Sequence, residues 1–210
     1  MQWFKVPSKI YFERDSIQYL TTMAGLERVM IVTDKTMVDL GFVNRIIDQL
    51  DKRQNKVVYD IFDNVEPDPD ITTVRAGADR LSQFQPDTII ALGGGSVMDA
   101  AKVMWLFYER PEVDFKDLVQ KFMDIRKRAV RFPELGAKAK YIGIPTTSGT
   151  ASEVTPFAVI SDKANNRKYP LADYSLLPTI AIVDASLIMT VPKVVVADTG
   201  MDVLTHALEA

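Results

Sequence analysis

The stretch "PDTIIALGGGSVMDAAKVMWLFYE" (Pro86 to Glu109) constrains the fold most. It runs from a short β-branched segment through three glycines into a long segment of helical spacing, which is a strand, a tight loop and a helix in one sweep. The same alternation recurs along the chain. "RVMIVTD" (Arg28 to Asp34) is nearly all apolar and ends in an acid, as a buried parallel strand with a polar group at its carboxyl end would. "VVYDIF" (Val57 to Phe62) reads as a second strand. Between them "MVDLGFVNRIIDQLDK" places Val38, Phe42, Ile46, Ile47 and Leu50 on one helical face, completing a β-α-β unit. "EPDPD" (Glu66 to Asp70) is a proline-punctuated turn, and "DITTVRAGADRLSQF" starts a helix with Asp70 as its N-cap. "AKYIGIPTTSGTASEV", "TPFAVISD" and "TIAIVDASL" supply further strands.

The pattern predicts an α/β fold: a Rossmann-like, mostly parallel sheet with helices on both faces, whose ligands collect at the carboxyl ends of the strands. Near Pro192 the period changes. "KVVVADTGMDVLTHALEA" is helical in spacing with Gly200 inside it, which divides the chain into an α/β domain over 1–191 and the start of an all-helical domain over 192–210.

Composition excludes several function classes. A chain of 210 residues with a net charge of -3 carries no broad basic footprint for nucleic acid or an anionic membrane. The one basic run, "DIRKRAVRF" (Asp124 to Phe132), reads as a solvated helix end. Cysteine is absent, which removes disulfides, thiolate ligands and a cysteine nucleophile and suits a reducing cytoplasm. The opening "MQWFKVPSKIYFERD" is broken by charges and a proline where a signal peptide needs an apolar stretch, and no segment reaches the ~18 apolar residues of a membrane span. A cytoplasmic protein with no membrane partner is expected.

Two loops carry the chemistry. In "ALGGGSVMDAAK" the glycines remove every Cβ that would hold an anion away from the backbone, and the amides of the helix starting near Ser96 point at whatever sits there. The alternative is a tight turn with Ser96 and Asp99 as a capping pair. In "IPTTSGTASEVT", Thr146, Thr147, Ser148, Thr150 and Ser152 surround Gly149 directly after another apolar strand. Two donor-rich loops at one sheet edge favour a nucleotide cleft over two unrelated turns. Asp34 then has two readings: a carboxylate accepting the adenosine ribose hydroxyls, which favours NAD over NADP, or a helix N-cap before "DKT". The only histidine, His206, stands four residues after Asp202. On a helix these side chains project from one face ~6 Å apart, a workable spacing for two ligands of one divalent ion, although an isolated pair of this kind is more often a surface hydrogen bond or helix pair.

Taken together, "IVTDK", "PDP", "IALGGGSVMDAAK", "IPTTSGTASEVTPFAVISD", "KYPLADYSLLPTIAIVDASL" and "TGMDVLTHALEA" resemble the iron-containing alcohol dehydrogenase family. "WFKVPSKIYFERDSI" and "KFMDIRKRAVRFP" look more particularly like the alcohol dehydrogenase half of bacterial bifunctional aldehyde-alcohol dehydrogenases. The resemblance implies an NAD-dependent, metal-dependent oxidoreductase interconverting a small primary alcohol and its aldehyde, such as ethanol and acetaldehyde. It assigns Asp34 to the ribose and Gly94, Gly95 and Ser96 to the pyrophosphate, with Asp99 just behind. Thr146, Thr147 and Thr150 become contacts in the second loop, with Val159 and Lys168 further along the cleft. Asp202 and His206 become the first two of four ligands to Fe(2+), or zinc in some members, where the family uses one carboxylate and three imidazoles. With a single histidine the set is incomplete. The expectation is therefore a C-terminally truncated piece that binds NAD weakly, holds no metal firmly and turns over little. In the full-length protein the resemblance implies a homo-oligomer or filament. The competing readings are a glycerol-dehydrogenase-like or dehydroquinate-synthase-like enzyme of the same fold, whose members differ around "PTTSGTASEVT" and "GMDVLTHALEA", and a non-catalytic nucleotide-binding or assembly module.

Overall fold

The structure, a computed structural model, describes residues 5–115, 118, 133–189 and 191–209. The basic run Asp124 to Phe132 lies outside the described residues. In chain order the elements are β1 (Lys9–Phe12), β2 (Arg28–Val32), α1 (Lys35–Asp39), α2 (Phe42–Asp51), β3 (Val58–Phe62), α3 (Ile71–Phe84), β4 (Thr88–Gly93) and α4 (Gly95–Glu109). They continue with β5 (Lys140–Pro145), β6 (Phe157–Asp162), β7 (Arg167–Ala172), β8 (Ile180–Val183), α5 (Ala185–Ile188) and α6 (Lys193–Glu209). Among the described residues no helix is long and apolar enough to cross a membrane.

Six strands form one parallel sheet in the order β1-β8-β5-β4-β2-β3. Because neighbouring residues of a strand face opposite sides, the apolar runs supply two cores at once. Met30, Val32, Ile89, Ala91 and Tyr141 face α3 and α4 on one side. Val29, Ile31, Ile90, Leu92, Ile142 and Ile182 face α2 and the 3-10 helix Ser16–Thr21 on the other. From β2 the chain goes outward to β3, then returns to place β4 on the other side of β2. That reversal opens a crevice at the carboxyl ends of β2 and β4, the place where open α/β sheets hold ligands.

Three local expectations change. The helix read across Val38 to Leu50 is two helices, because Gly41 adopts a left-handed backbone (φ 76°) between α1 and α2, and this swings Val38 off the buried face. β6 does not join the parallel sheet. It pairs antiparallel with β7 as a separate two-stranded hairpin, packed on α4. β1, unforeseen from sequence, pairs with β8 in parallel and is held there by Asp184, which accepts the amides of Asp15 at 2.9 Å and Ile17 at 3.3 Å.

Helix α4 is the buried spine. Its residues from Val97 to Glu109 are almost all buried between the sheet, α3 and the hairpin, and one of them is a lysine, Lys102. Helix α6 is the opposite case: none of its residues is buried, and Val194, Met201, Val203, Leu204 and Leu208 are exposed along it.

Candidate functional site

The crevice at the strand reversal is a cavity of about 1010 Å³. Its walls are the residues after β2, the turn after β3, the glycine loop after β4, the Thr/Ser loop after β5 and the first two turns of α6. Its size lies at the upper end of the roughly 300–1,000 Å³ usual for ligand sites.

The floor is the start of α4. Gly94 is the N-cap, with an extended backbone and no side-chain cap, so the first amides of the helix have no partner from a capping oxygen. The first helical bond runs from the Met98 amide to the Gly94 carbonyl at 3.2 Å, leaving the N–H groups of Gly95, Ser96 and Val97 at the cavity wall. An uncapped helix start of this length favours an anion there. The capping-pair reading of Ser96 and Asp99 fails. Ser96 sits inside the first turn and its Oγ accepts the Asp68 amide at 3.4 Å. Asp99 turns away from the helix end to accept the Ser152 hydroxyl at 3.2 Å and the Val159 amide at 2.9 Å.

The glycines are explained by what approaches them. A Cβ on Gly93 would meet Val97 Cγ2 at 2.6 Å, one on Gly95 would meet Thr150 Cγ2 at 2.9 Å, and one on Gly94 would lie 3.3 Å from Thr147 Cγ2. Their absence brings the Thr/Ser loop down onto the helix start. The Thr146 amide bonds the Gly93 carbonyl at 3.0 Å, which ties the two loops at their roots. Thr146, Thr147 and Thr150 line the cavity, whereas Ser152 is turned inward to Asp99. Gly149 serves a third neighbour: a Cβ there would fall 2.5 Å from the Thr199 carbonyl, so its bareness lets α6 approach the loop.

Asp34 is an N-cap and also stands at the cavity. Its Oδ1 accepts the Met37 amide at 3.0 Å as the N-cap of α1, and the residue also lines the cavity. The cap holds the carboxylate in one orientation, a useful property in an acceptor for a diol. Seven of the sequence-predicted cofactor residues therefore meet in one cavity: Asp34, Gly94, Gly95, Ser96, Thr146, Thr147 and Thr150. Asp99, Val159 and Lys168 are outside its lining. Val159 is on β6, its amide held by Asp99, and Lys168 is paired with Asp68 at 2.9 Å. Sequence reasoning missed Glu66 and Pro67, which line the cavity because β3 lies beside β2, and Val191, Val195 and Thr199 from the approach to α6 and its first turns.

Beneath the two loops is a cluster of buried ionisable groups. Lys102 donates to the carbonyls of Thr155 at 2.8 Å and Phe157 at 2.6 Å. Burial pushes its ammonium down to about 8, an effect that attraction to Asp99 and Glu153 only partly offsets. The carboxyls of Asp99 and Glu153 are both raised by burial, and the Tyr141 phenol is raised well above its ordinary value for the same reason. The sequence signal for Lys102 was present as a single charge in the apolar run "AAKVMWLFY".

Asp202 and His206 lie one turn apart on α6, with the imidazole Nε2 3.7 Å from a carboxylate oxygen. Among the described residues no third His, Cys, Asp or Glu joins them to form a metal-binding group. The donor types suit iron or zinc, but two donors do not fill the coordination shell of either ion.

Residues 7–185 match the sequence profile described as "Iron-containing alcohol dehydrogenase". This chain belongs to that family. Over its 210 residues this family member is 76% identical to the aldehyde-alcohol dehydrogenase of Streptococcus pneumoniae, covering 100% of the chain and 24% of that protein. It is 43% identical over 210 residues to the NADPH-dependent butanol dehydrogenase of Clostridium saccharobutylicum, covering 52% of it. The iron-containing alcohol dehydrogenase fold is matched by the crystal structure of sulfoacetaldehyde reductase from Bifidobacterium kashiwanohense in complex with NAD+. That likeness has a TM-score of 0.85 and 31% identity, and covers 100% of this chain and 53% of the other. The chain thus spans a quarter to a half of the length of the relatives it matches.

Proposed function

We propose that residues 1–191 bind NAD and serve the oxidoreduction of a small primary alcohol and its aldehyde, ethanol and acetaldehyde being the simplest pair. One observation carries this reading: the uncapped start of α4 and Asp34 line one cavity at the strand reversal. The amides of Gly95, Ser96 and Val97 hold the diphosphate, and the Asp34 carboxylate accepts the adenosine ribose hydroxyls. The hydroxyls of Thr147 and Thr150 close over the diphosphate from the second loop. A 2′-phosphate would meet the fixed charge of Asp34, so NADH is preferred to NADPH. When bound, the nicotinamide supplies the hydride acceptor or donor.

Helix α6 (Lys193–Glu209) then opens a helical domain over 192–210, and Asp202 and His206 are two ligands of a metal site. Two donors fall short of a complete site, and no reaction step is assigned to an ion here. The NAD-bound form of the sulfoacetaldehyde reductase supports the cofactor, and the aldehyde-alcohol dehydrogenase of S. pneumoniae supports the substrate class. Titration of the chain with NADH, followed by quenching of tryptophan emission, tests the reading. Saturable quenching by NADH and a weaker response to NADPH are expected; a folded chain that gives a flat titration with NADH would overturn it. Adding NAD, Fe(II) and ethanol to the chain should yield little NADH, because the metal donors are only two.

A further inference from the structure

The inference rests on the proposed cofactor cleft and concerns what holds its second wall in place. The Thr/Ser loop enters from β5 and leaves into β6. Its entrance is tied to the glycine loop by the Thr146 amide on the Gly93 carbonyl. Its exit is tied to α4 by side chains that the proposed chemistry does not use. Asp99 accepts the Ser152 hydroxyl and the Val159 amide, and Lys102 donates to the carbonyls of Thr155 and Phe157.

These contacts have a common cause in the topology. β7 is the one strand that β6 pairs with along its length, apart from a single bridge from Ser161 to Asp70, and Val159 lies opposite Pro170, whose lack of an N–H suits a non-hydrogen-bonded pair of the ladder. Phe157 and Val159 are alternate residues of an antiparallel strand, so their polar groups point away from β7 together, toward α4. Left without ladder partners there, these groups bond to side chains of α4. Asp99 and Lys102 supply acceptor and donor one helical turn apart, and the Ser161 amide completes the edge on the Pro69 carbonyl at 2.9 Å. Lys102 is fully buried for this purpose, where an apolar residue of the same length would pack without the cost of desolvating a charge.

Between the two anchors, Thr147 to Ala151 touch the rest of the chain through close packing: Thr150 against Gly95 and Gly149 against Thr199. Moving the exit of the loop would move Thr150 relative to the amides of Gly95 and Ser96. We propose that Lys102 and Asp99 are positioning residues for the cofactor: from beneath α4 they fix the exit of the Thr/Ser loop, so that its hydroxyls and the uncapped helix start form a single anion cradle.

The test uses the whole 210-residue chain. Lys102→Met keeps the aliphatic stem and removes the donor. Asp99→Ala removes the acceptor, whereas Asp99→Asn keeps an oxygen for the Val159 amide. Each is titrated with NADH at a temperature where circular dichroism shows the variant folded. The expected result is a tenfold or greater rise in Kd for Lys102→Met and Asp99→Ala, and near-parental binding for Asp99→Asn. A role confined to stability would lower the urea midpoint and leave Kd unchanged, and that result overturns the proposal. If Lys102→Met fails to fold, the Asp99→Ala and Asp99→Asn pair decides alone. Amide hydrogen exchange provides a readout independent of the cofactor: faster exchange over Thr147 to Val159 with unchanged protection in α4 supports the anchor, and unaltered exchange there refutes it. A parental chain that binds no NADH would sink the cofactor reading, and the exchange pattern would still decide whether the loop is anchored.

Discussion

Lys102 gives a prediction whose sign and size follow from its surroundings. Its ammonium has a folded pKa of about 8 against an ordinary 10.5. Between those values the unfolded chain binds a proton that the folded chain has released, so stability rises with pH through that window and the full penalty is present below it. A shift of about 2.5 units corresponds to about 3 kcal/mol in all, of which about 2 kcal/mol is recovered between pH 7 and pH 9.5. Other groups titrate too, so the measurement is a difference: urea unfolding of the parental chain and of Lys102→Met at the two pH values. The Tyr141 phenol, raised well above 10, stays protonated at both in the folded state and drops out of the comparison. Relative to Lys102→Met, the parental chain should gain about 2 kcal/mol on going to pH 9.5, near 1 M in urea midpoint for a slope of about 2 kcal/mol/M. A difference that stays constant, or shrinks as pH rises, would show that Lys102 keeps its proton as readily in the fold as outside it and would remove the argument from burial.

Three further perturbations address the cleft and a fourth the Asp202–His206 pair. Asp34→Ser keeps an oxygen to cap the Met37 amide, so stability should change by no more than about 0.5 kcal/mol while the preference for NADH over NADPH falls about tenfold in paired titrations; an unchanged preference would reduce Asp34 to a cap. Gly95→Ala places a Cβ 2.9 Å from Thr150 Cγ2, and NADH affinity should drop about tenfold without a matching loss of thermal stability, since alanine favours the helix by up to ~1 kcal/mol. Gly94→Asp supplies the missing cap to the first amides of α4, so melting temperature should hold or rise while NADH quenching disappears; retained binding would mean that the diphosphate sits elsewhere. Titration calorimetry with Zn(II) should give a Kd no tighter than about 10 μM, because structural zinc sites close with four ligands; submicromolar binding lost in His206→Ala would show that further donors are recruited.

The parts of this molecule legible in its sequence are those fixed by local pattern. The apolar runs of β2, β4 and β5 are buried on both faces, so they read as strands unaided. The acid after one strand and the glycines after another marked the crevice before any topology was known, because both residue types answer to the backbone beside them. What sequence reading missed is set by partners far along the chain. β1 is only four residues long and mostly exposed, and exists because β8, some 170 residues later, offers it an edge. β6 reads as a strand, but nothing within it says that it will leave the parallel sheet to pair antiparallel with β7. Ser96 and Asp99 have the spacing of a capping pair, yet Asp99 finds the Ser152 hydroxyl and Val159 amide more accessible than its own helix start.

That last departure bears on function. A serine or aspartate at the N-cap of α4 would satisfy the first amides, and replacing such a cap by glycine costs a few tenths of a kcal/mol. The cost is small beside the stability of a domain, and what it leaves open is a set of oriented N–H donors with a cavity in front of them. The same chain caps α1 with Asp34, α3 with Asp70 and α5 with Asp184, each by a side-chain oxygen on a backbone amide. Helix α2 also starts without a side-chain cap, but there Gly41 is the left-handed junction that follows α1. Among the described residues no side chain caps α4 where it starts in the crevice at the strand reversal, and its glycines keep the second loop close enough to complete the enclosure. A helix start that leaves its first amides open in front of a cavity locates the site more sharply than cavity size does, because it specifies the charge of what belongs there.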